Sequence, residues 1–278
     1  MSLDLWRSPL NRAAFALRRA LGFRRGPPTL ANEPKDGLFD YLEPGERTRA
    51  EERERALRRR FELDPLREAS SRLDYRDNLY LLAALEEIFA GARIEHPRER
   101  PLRLVDVGSK SFSYAFALER FLGRSGQAKS RPVELLGVEL DGHVVYRDLR
   151  SRADYADAYL AQLASGAARY RVADFCDVRG TFDVVTMFFP FVTKRALVAW
   201  GLPLAVFDPE RLVRHALAVG RGGLICALSQ TEEERDRLVE LATAAGATIE
   251  RSVRIECALV AYHAATLDRW GTRIAAPR

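Results

Sequence analysis

The sequence predicts an α/β fold: a doubly wound, mainly parallel seven-stranded sheet with a C-terminal antiparallel strand pair, plus a helical N-terminal extension. Three observations predict it. From about residue 70 onward, short apolar runs alternate with amphipathic stretches, the pattern of parallel strands joined by crossover helices. The first run ends in a tight turn, residues 106–110, that opens directly into a helix. The last two runs, residues 248–253 and 258–265, stand only a few residues apart, too close for a parallel crossover, so they must pair antiparallel or lie in separate sheets.

The elements follow in chain order. Residues 2–25 place Leu3, Trp6, Leu10, Ala14, Leu17 and Leu21 on one helical face and Arg7, Arg12, Arg18, Arg19, Arg24 and Arg25 largely elsewhere, with Gly26 and two prolines as the expected stop. A basic amphipathic helix of this kind packs on its own domain or an oligomer partner, lies on an anionic membrane or a nucleic acid, or stays a disordered arm. It lacks the cleavage site of a secretory signal and the serine enrichment of an organellar transit peptide. Residues 26–45 read as a proline- and glycine-rich linker, and residues 47–60 as a solvated helix of mixed charge. Residues 78–90 set Leu79, Leu82, Leu85, Ile88 and Phe89 on a stripe that would cover the sheet. The division expected is an extension and linker at 1–69 and the main domain at 70–278.

Within that domain the expected strands are residues 102–106, 133–139, 170–174, 182–188 and 223–228. Between them lie a helix over 114–122 closed by Gly123, a long helical stretch over 147–163, and a helix opened by Asp208 and Pro209 and closed by Gly220. Thr231 and Glu234 form a capping box on a helix ending at Gly246.

Composition bounds the function classes. The 278 residues carry 44 basic and 39 acidic side chains, net +5, nearly all the cations being arginine; this reflects either overall composition or a polyanionic partner such as RNA. No run approaches the roughly 20 apolar residues of a membrane span. Cys176, Cys226 and Cys257 sit in strand-like segments without CxxC spacing, and His96, His143, His215 and His263 are scattered. The expectation is a cytoplasmic protein with reduced thiols and no metal site.

In open parallel sheets ligands bind at the carboxyl ends of the strands, near the point where strand order reverses. The first strand delivers Asp106 and Gly108 there, the second Glu139 and Asp141, the third Asp174 and Phe175, and the fourth Phe188, Phe189, Pro190 and Phe191. Gly108 serves either an ordinary turn or the close approach of a ligand to a helix N-terminus. Glu139 is either an exposed strand-end carboxylate or an acceptor for the two hydroxyls of a ribose. Asp174 either caps a turn or accepts from an adenine amino group, with Phe175 covering the ring. The four residues from Phe188 are either core or acceptor wall.

Together these features resemble the class I S-adenosylmethionine-dependent methyltransferases, over roughly residues 78–266. The resemblance rests on Val105, Asp106 and Gly108, on Glu139 after Gly137, on Asp174, and on the terminal strand pair. It implies a Rossmann-like domain and a cofactor set of Asp106, Gly108, Ser109, Lys110, Glu139, Asp174 and Phe175. Gly108 would approach the methionine portion, Glu139 would hold the ribose, Asp174 and Phe175 would frame the adenine, and Asp106 would orient the loop or a bound water. Family members carry further glycines where this chain has Lys110 and Phe112; Lys110 would pair with the ligand's carboxylate, point outward, or mark a different ligand. Glycines are also missing for a dinucleotide fingerprint or a P-loop.

The fourth strand's ending lacks the polar first residue of amino-group methyltransferases, which points to a small molecule methylated on oxygen, sulfur or carbon. Residues 191–208, with Lys194, Arg195 and Trp200, are long for a connection and suited to a lid. No catalytic side chain is assigned, because displacement at a sulfonium needs mainly positioning and exclusion of water; His143 and Tyr114 are conceivable bases with structural alternatives. The competing readings are an RNA methyltransferase and a methyltransferase-like binding or scaffold protein.

Overall fold

The computed structural model describes residues 5–92, 94–95, 97–124, 130–163, 166–256, 259 and 268–277. The elements run α1 (Ser8–Leu21), α2 (Pro44–Phe61), α3 (Asp64–Glu68), α4 (Arg72–Ile88), β1 (Leu102–Val107), α5 (Ala115–Arg124), β2 (Val133–Glu139), α6 (Arg152–Leu160), β3 (Ala168–Val172), β4 (Val184–Phe188), α7 (Lys194–Ala199), α8 (Pro209–Val219), β5 (Leu224–Ser229), α9 (Glu232–Ala244), β6 (Thr248–Arg254) and β7 (Trp270–Ala275). The sheet order is β3-β2-β1-β4-β5-β7-β6. β1 to β5 are parallel, and β7 is antiparallel to both neighbours.

Alternation along the strands builds two cores. Leu102 and Leu104 of β1, Val184 of β4 and Cys226 and Leu228 of β5 face one layer, with α4 and α5. Val105, Val185, Met187, Ile225 and Ala227 face the other, with α8 and α9. Strand order reverses between β1 and β4, so the chain leaves their carboxyl ends toward opposite flanks and a crevice opens between.

Several elements differ from the sequence reading. The terminal antiparallel pair is present, but its last strand is Trp270–Ala275. The expected strand at 258–265 falls outside the described residues except for Leu259, which lies in a turn. β6 ends at Arg254 and β7 begins at Trp270, and the antiparallel sense comes from β7 inserting between β5 and β6, where Gly271 lies against α4. Gly123 does not cap a helix; it sits inside α5, where a Cβ would stand 3.1 Å from the Arg131 carbonyl. The helical stretch over 147–163 shortens to α6, because Ser151 and Asp154 form a reciprocal capping box that starts it there. β3 begins and ends two residues early, leaving Asp174 in the loop beyond it. Cys176 belongs to a 3₁₀ turn over Phe175–Asp177, not to a strand, while Cys226 is in β5 and Cys257 is outside the described residues.

The N-terminal segment departs most. α1 stops at Gly22, which takes a left-handed cap (φ 54°), ahead of Gly26. α2 is not a fully solvated helix: Ala50, Glu54, Leu57 and Phe61 form a buried face, and Glu54 accepts a 2.6 Å hydrogen bond from the Tyr75 hydroxyl. Phe61 packs on Phe121 of α5. In the linker, Lys35, Leu38 and Phe39 are buried, the Lys35 ammonium donating to the Glu33 and Ser70 carbonyls.

Candidate functional site

The turn after β1 is tied down by backbone contacts. The amides of Gly108 and Ser109 both donate to the Val138 carbonyl on β2, at 2.8 and 3.1 Å. The Ser109 hydroxyl returns a 2.9 Å bond to the Asp106 carbonyl. Gly108, Lys110 and Phe112 all adopt left-handed backbone, with φ of 75°, 53° and 55°. The loop therefore keeps a glycine-loop conformation with two non-glycine residues, a strain of order 1 kcal/mol each. Phe112 is held there by its ring, fully buried and lying over Gly137, where any Cβ would meet the ring at 2.7 Å. Gly108 faces open space: a Cβ there would touch nothing within 4 Å.

Glu139 ends β2, nearly buried, and organises this loop. Its Oε2 accepts from the Lys110 amide at 2.8 Å and its Oε1 from the Asp141 amide at 2.9 Å, with the Arg152 guanidinium 3.5 Å away. Burial raises its pKa, and Arg152 and the two amides counter that. Asp106 lies beneath, fully buried, accepting from the Tyr114 hydroxyl at 2.7 Å and the Thr186 hydroxyl at 2.6 Å. Burial pushes Asp106 up to about 6 despite these donors. The Tyr114 hydroxyl is thus a donor, its pKa raised by burial beside Asp106.

A cavity of about 680 Å³ opens over these residues, within the size range of small-molecule sites. Of the cofactor set expected from sequence, Gly108, Lys110, Glu139, Asp174 and Phe175 line it; Asp106 and Ser109 lie below the lining as supports. Asp174 has two tasks besides any ligand: its carboxylate caps the 3₁₀ turn through the Cys176 amide (2.8 Å) and faces Arg211 at 3.5 Å. Phe175 is buried edge-on against His215. Phe188, Phe189, Pro190 and Phe191 all line the cavity, Phe188 edge-on to Tyr114 and Phe189 in left-handed backbone at φ 59°. His143 is not among the lining residues.

Residues 189–208 close one side as a roof. Leu197 of α7, Trp200, Leu202 and Val206 face the cavity, and the Lys110 ammonium lies 5.4 Å above the Trp200 ring. Burial and the nearby Arg152 lower the Lys110 pKa.

Four charged lining residues escaped the sequence reading: Arg211, facing Asp174, and Arg152, Arg269 and Asp77. Arg152 opens α6 beside Glu139. Arg269 lies over the rings of Tyr80 and Phe189, 4.9 and 5.4 Å away. Asp77 faces the cavity from α4, and burial with the neighbouring Asp74 pushes it up to about 6 against Lys110, Arg76 and Arg269. A signal for Asp77 existed: Asp74, Asp77 and Asn78 recur at helical spacing within a largely apolar helix. Asn78, fully buried, donates to the Ser113 carbonyl at 3.0 Å and accepts from the Ala117 amide at 3.2 Å, joining α4 to α5.

The arrangement can hold an adenosine-type cofactor. Open space at Gly108, a carboxylate at the second strand's end and an aromatic with an acid after the third fit its three parts, and the buried Arg152 Nε has no hydrogen-bond partner.

No protein-family model and no curated protein matches this sequence. Among solved structures, the chain is similar to a SAM-dependent methyltransferase from Aquifex aeolicus, at 12% identity over 72% of this chain and 92% of that one, TM-score 0.49. It is similar to magnesium protoporphyrin IX methyltransferase from Synechocystis with bound SAH, at 9% identity over 73% and 84%, TM-score 0.44. The CcbJ methyltransferase from Streptomyces caelestis aligns at 12% identity over 73% and 90%, TM-score 0.45. The 3-2-1-4-5-7-6 sheet with its antiparallel seventh strand, preceded by N-terminal helices, gives this chain the class I S-adenosylmethionine-dependent methyltransferase fold.

Proposed function

We propose that the protein is an S-adenosylmethionine-dependent methyltransferase acting on a small molecule through an oxygen, sulfur or carbon atom. One observation carries this reading: the cavity at the carboxyl ends of β1 to β4 combines the open Gly108 turn with the buried Glu139 carboxylate. When bound, the cofactor supplies an activated methyl group on a sulfonium. Glu139 would accept from the ribose hydroxyls with its remaining lone pairs, and Asp174 with Phe175 would frame the adenine. Lys110 and Arg152 would face the amino-acid carboxylate. The roof around Trp200 would shield the bound sulfonium from water, which matters because hydrolysis competes with transfer.

The acceptor would sit between Phe188, Phe189, Tyr80 and Arg269, which share the cavity's lining. Asp77 stands there as the residue able to take a proton from an acceptor hydroxyl or thiol, its pKa of about 6 leaving it ionised at neutral pH. The aromatic lining favours an apolar or aromatic acceptor over a nucleic acid. The setting expected is cytoplasmic, with Cys176 and Cys226 as free thiols.

A second reading, a methyltransferase-like binding or scaffold protein, is favoured by the two cations, Lys110 and Arg152, beside a site that would receive a sulfonium. Isothermal titration with S-adenosylmethionine and S-adenosylhomocysteine separates the two. Saturable heat with both ligands is expected; no heat with either at tens of micromolar protein sinks the enzyme reading.

A further inference from the structure

The sequence places one apolar face on the N-terminal helix, and the structure turns that face away from the protein. α1 is held by the other side. Phe15, its one buried residue among those described, packs on Leu197, Val198 and Leu202. Asn11 donates to the carbonyls of Val198 and Leu202 at 2.9 and 3.0 Å, and the Ser8 hydroxyl accepts from the Leu204 amide at 3.0 Å. Arg18 pairs with Asp141 through two hydrogen bonds, one of them 2.9 Å from Nε to Oδ1. These partners belong to the roof of the cavity or the loop after β2.

Leu10, Leu17 and Leu21 point outward at 64%, 59% and 69% exposure, and Trp6, in the 3₁₀ turn that leads into the helix, continues their line at 58%. At 100° per residue the four positions fall within an arc of about 60°. Exposed alanines 13, 14 and 20 fill the same face, and Phe23 extends it beyond the cap at 44%. An apolar stripe this continuous marks a contact surface.

Charge identifies the partner. Residues 5–32 contain six arginines and no acidic residue. Arg18 and Arg24 are engaged by Asp141, Asp154 and Asp157 of the same molecule. Arg7, Arg12, Arg19 and Arg25 remain exposed; Arg7 borders the stripe, while Arg12 and Arg19, the latter stacked over the Phe15 ring, lie at the helix's side toward the docked face. A second copy of the chain laid on this face would set one cationic segment against another, with no acidic residue over 5–32 to offset the charge. An anionic bilayer accepts both features at once, the leucines and the tryptophan entering the acyl boundary while the arginines meet lipid phosphates.

We infer that α1 seats this protein on an anionic membrane surface through Trp6, Leu10, Leu17 and Leu21. The inner side of the same helix grips the cavity roof, so seating brings the roof to the bilayer. The proposal stands apart from the methyltransferase reading, since its test needs no cofactor.

The test is flotation of the full-length protein with phosphatidylcholine vesicles, with and without phosphatidylglycerol. Binding is expected to the anionic vesicles, to weaken with added salt, and to fall at least tenfold in Leu10→Glu/Leu17→Glu. That variant should keep the parent's circular dichroism and unfolding midpoint, because neither leucine is buried. Arg7→Glu/Arg12→Glu should lose the preference for anionic lipid. The inference is overturned if the parent does not float with anionic vesicles, or if the double-leucine variant floats as well as the parent. It is equally overturned if the parent is a dimer that binds no vesicle and that the leucine variant converts to monomer.

Discussion

Replacing Glu139 by alanine should destabilise the protein in the absence of any ligand. The carboxylate is the acceptor for two amides, Lys110 at 2.8 Å and Asp141 at 2.9 Å, and the residue is only 6% exposed. Leaving a buried donor unsatisfied costs about 1–3 kcal/mol, so two donors set a gross penalty of about 2–6 kcal/mol. Two effects reduce it. The cavity adjoins the Lys110 amide, so water can replace one partner, and removing a carboxylate whose pKa burial has raised relieves its desolvation. The net loss expected is about 1–3 kcal/mol, read as a lower urea midpoint at neutral pH with an unchanged slope. Glu139→Gln keeps one acceptor oxygen and should lose roughly half as much. A loss below about 0.5 kcal/mol in the alanine variant would refute the claim that this carboxylate organises the loop. The glutamine variant, which stays folded, then isolates the ligand: S-adenosylhomocysteine should bind it about tenfold or more weakly, the equivalent of a charged hydrogen bond of about 1.5–3 kcal/mol, and equal affinity would remove the ribose assignment.

Lys110→Gly keeps the amide bond to Glu139 and the carbonyl that accepts from Tyr170, and relieves left-handed backbone, so its thermal midpoint should equal or exceed the parent's; a clear drop would show that the side chain holds the loop. The same variant should improve S-adenosylmethionine binding relative to S-adenosylhomocysteine, because only the former carries a sulfonium, and an unchanged ratio would place the ammonium away from it. Asp106 has a folded pKa of about 6 above its ordinary 3.8, so the parent should lose stability as pH rises from about 4 to 6 and Asp106→Asn should not; a difference in melting temperature that stays flat over that window contradicts the burial argument. With an acceptor in hand, the turnover rate should rise with pH through about 6, and Asp77→Asn should abolish that limb; a limb that survives would exclude Asp77 as the base. Gly271→Ala would put a Cβ 2.4 Å from Ile88 Cγ1, an overpacking of about 1–3 kcal/mol; an unaltered unfolding midpoint would mean that α4 yields.

Local chemistry made much of the sheet and its ligand end legible. β2 coincides with its apolar run, and Asp208 and Thr231 cap α8 and α9 through the amides of Arg211 and Glu234. Errors arose where an element is defined by a distant partner. Gly123 reads as a cap but is a place of close approach to the chain leading into β2, and the last strand lies at Trp270–Ala275 because β5 and β6 both pair with it there. Asp77 and Arg152 were missed because each looks like an ordinary helix-surface charge until the fold sets them around one cavity.

The sequence by itself determined the alternation of strand and helix, the tight turn carrying Gly108, and the acids at the ends of the second and third strands. These depend on period, turn chemistry and spacing, which act over a few residues. Only the tertiary structure decided that Lys110 and Phe112 adopt the conformation usually left to glycine, held by the Glu139 contact to the Lys110 amide and by burial of the Phe112 ring over Gly137. It alone decided which face of α1 is inward. Periodicity finds an apolar stripe on a helix, but Phe15, Asn11 and Arg18 win the docking because their partners, an apolar cluster, two carbonyls and Asp141, converge from positions more than 120 residues away.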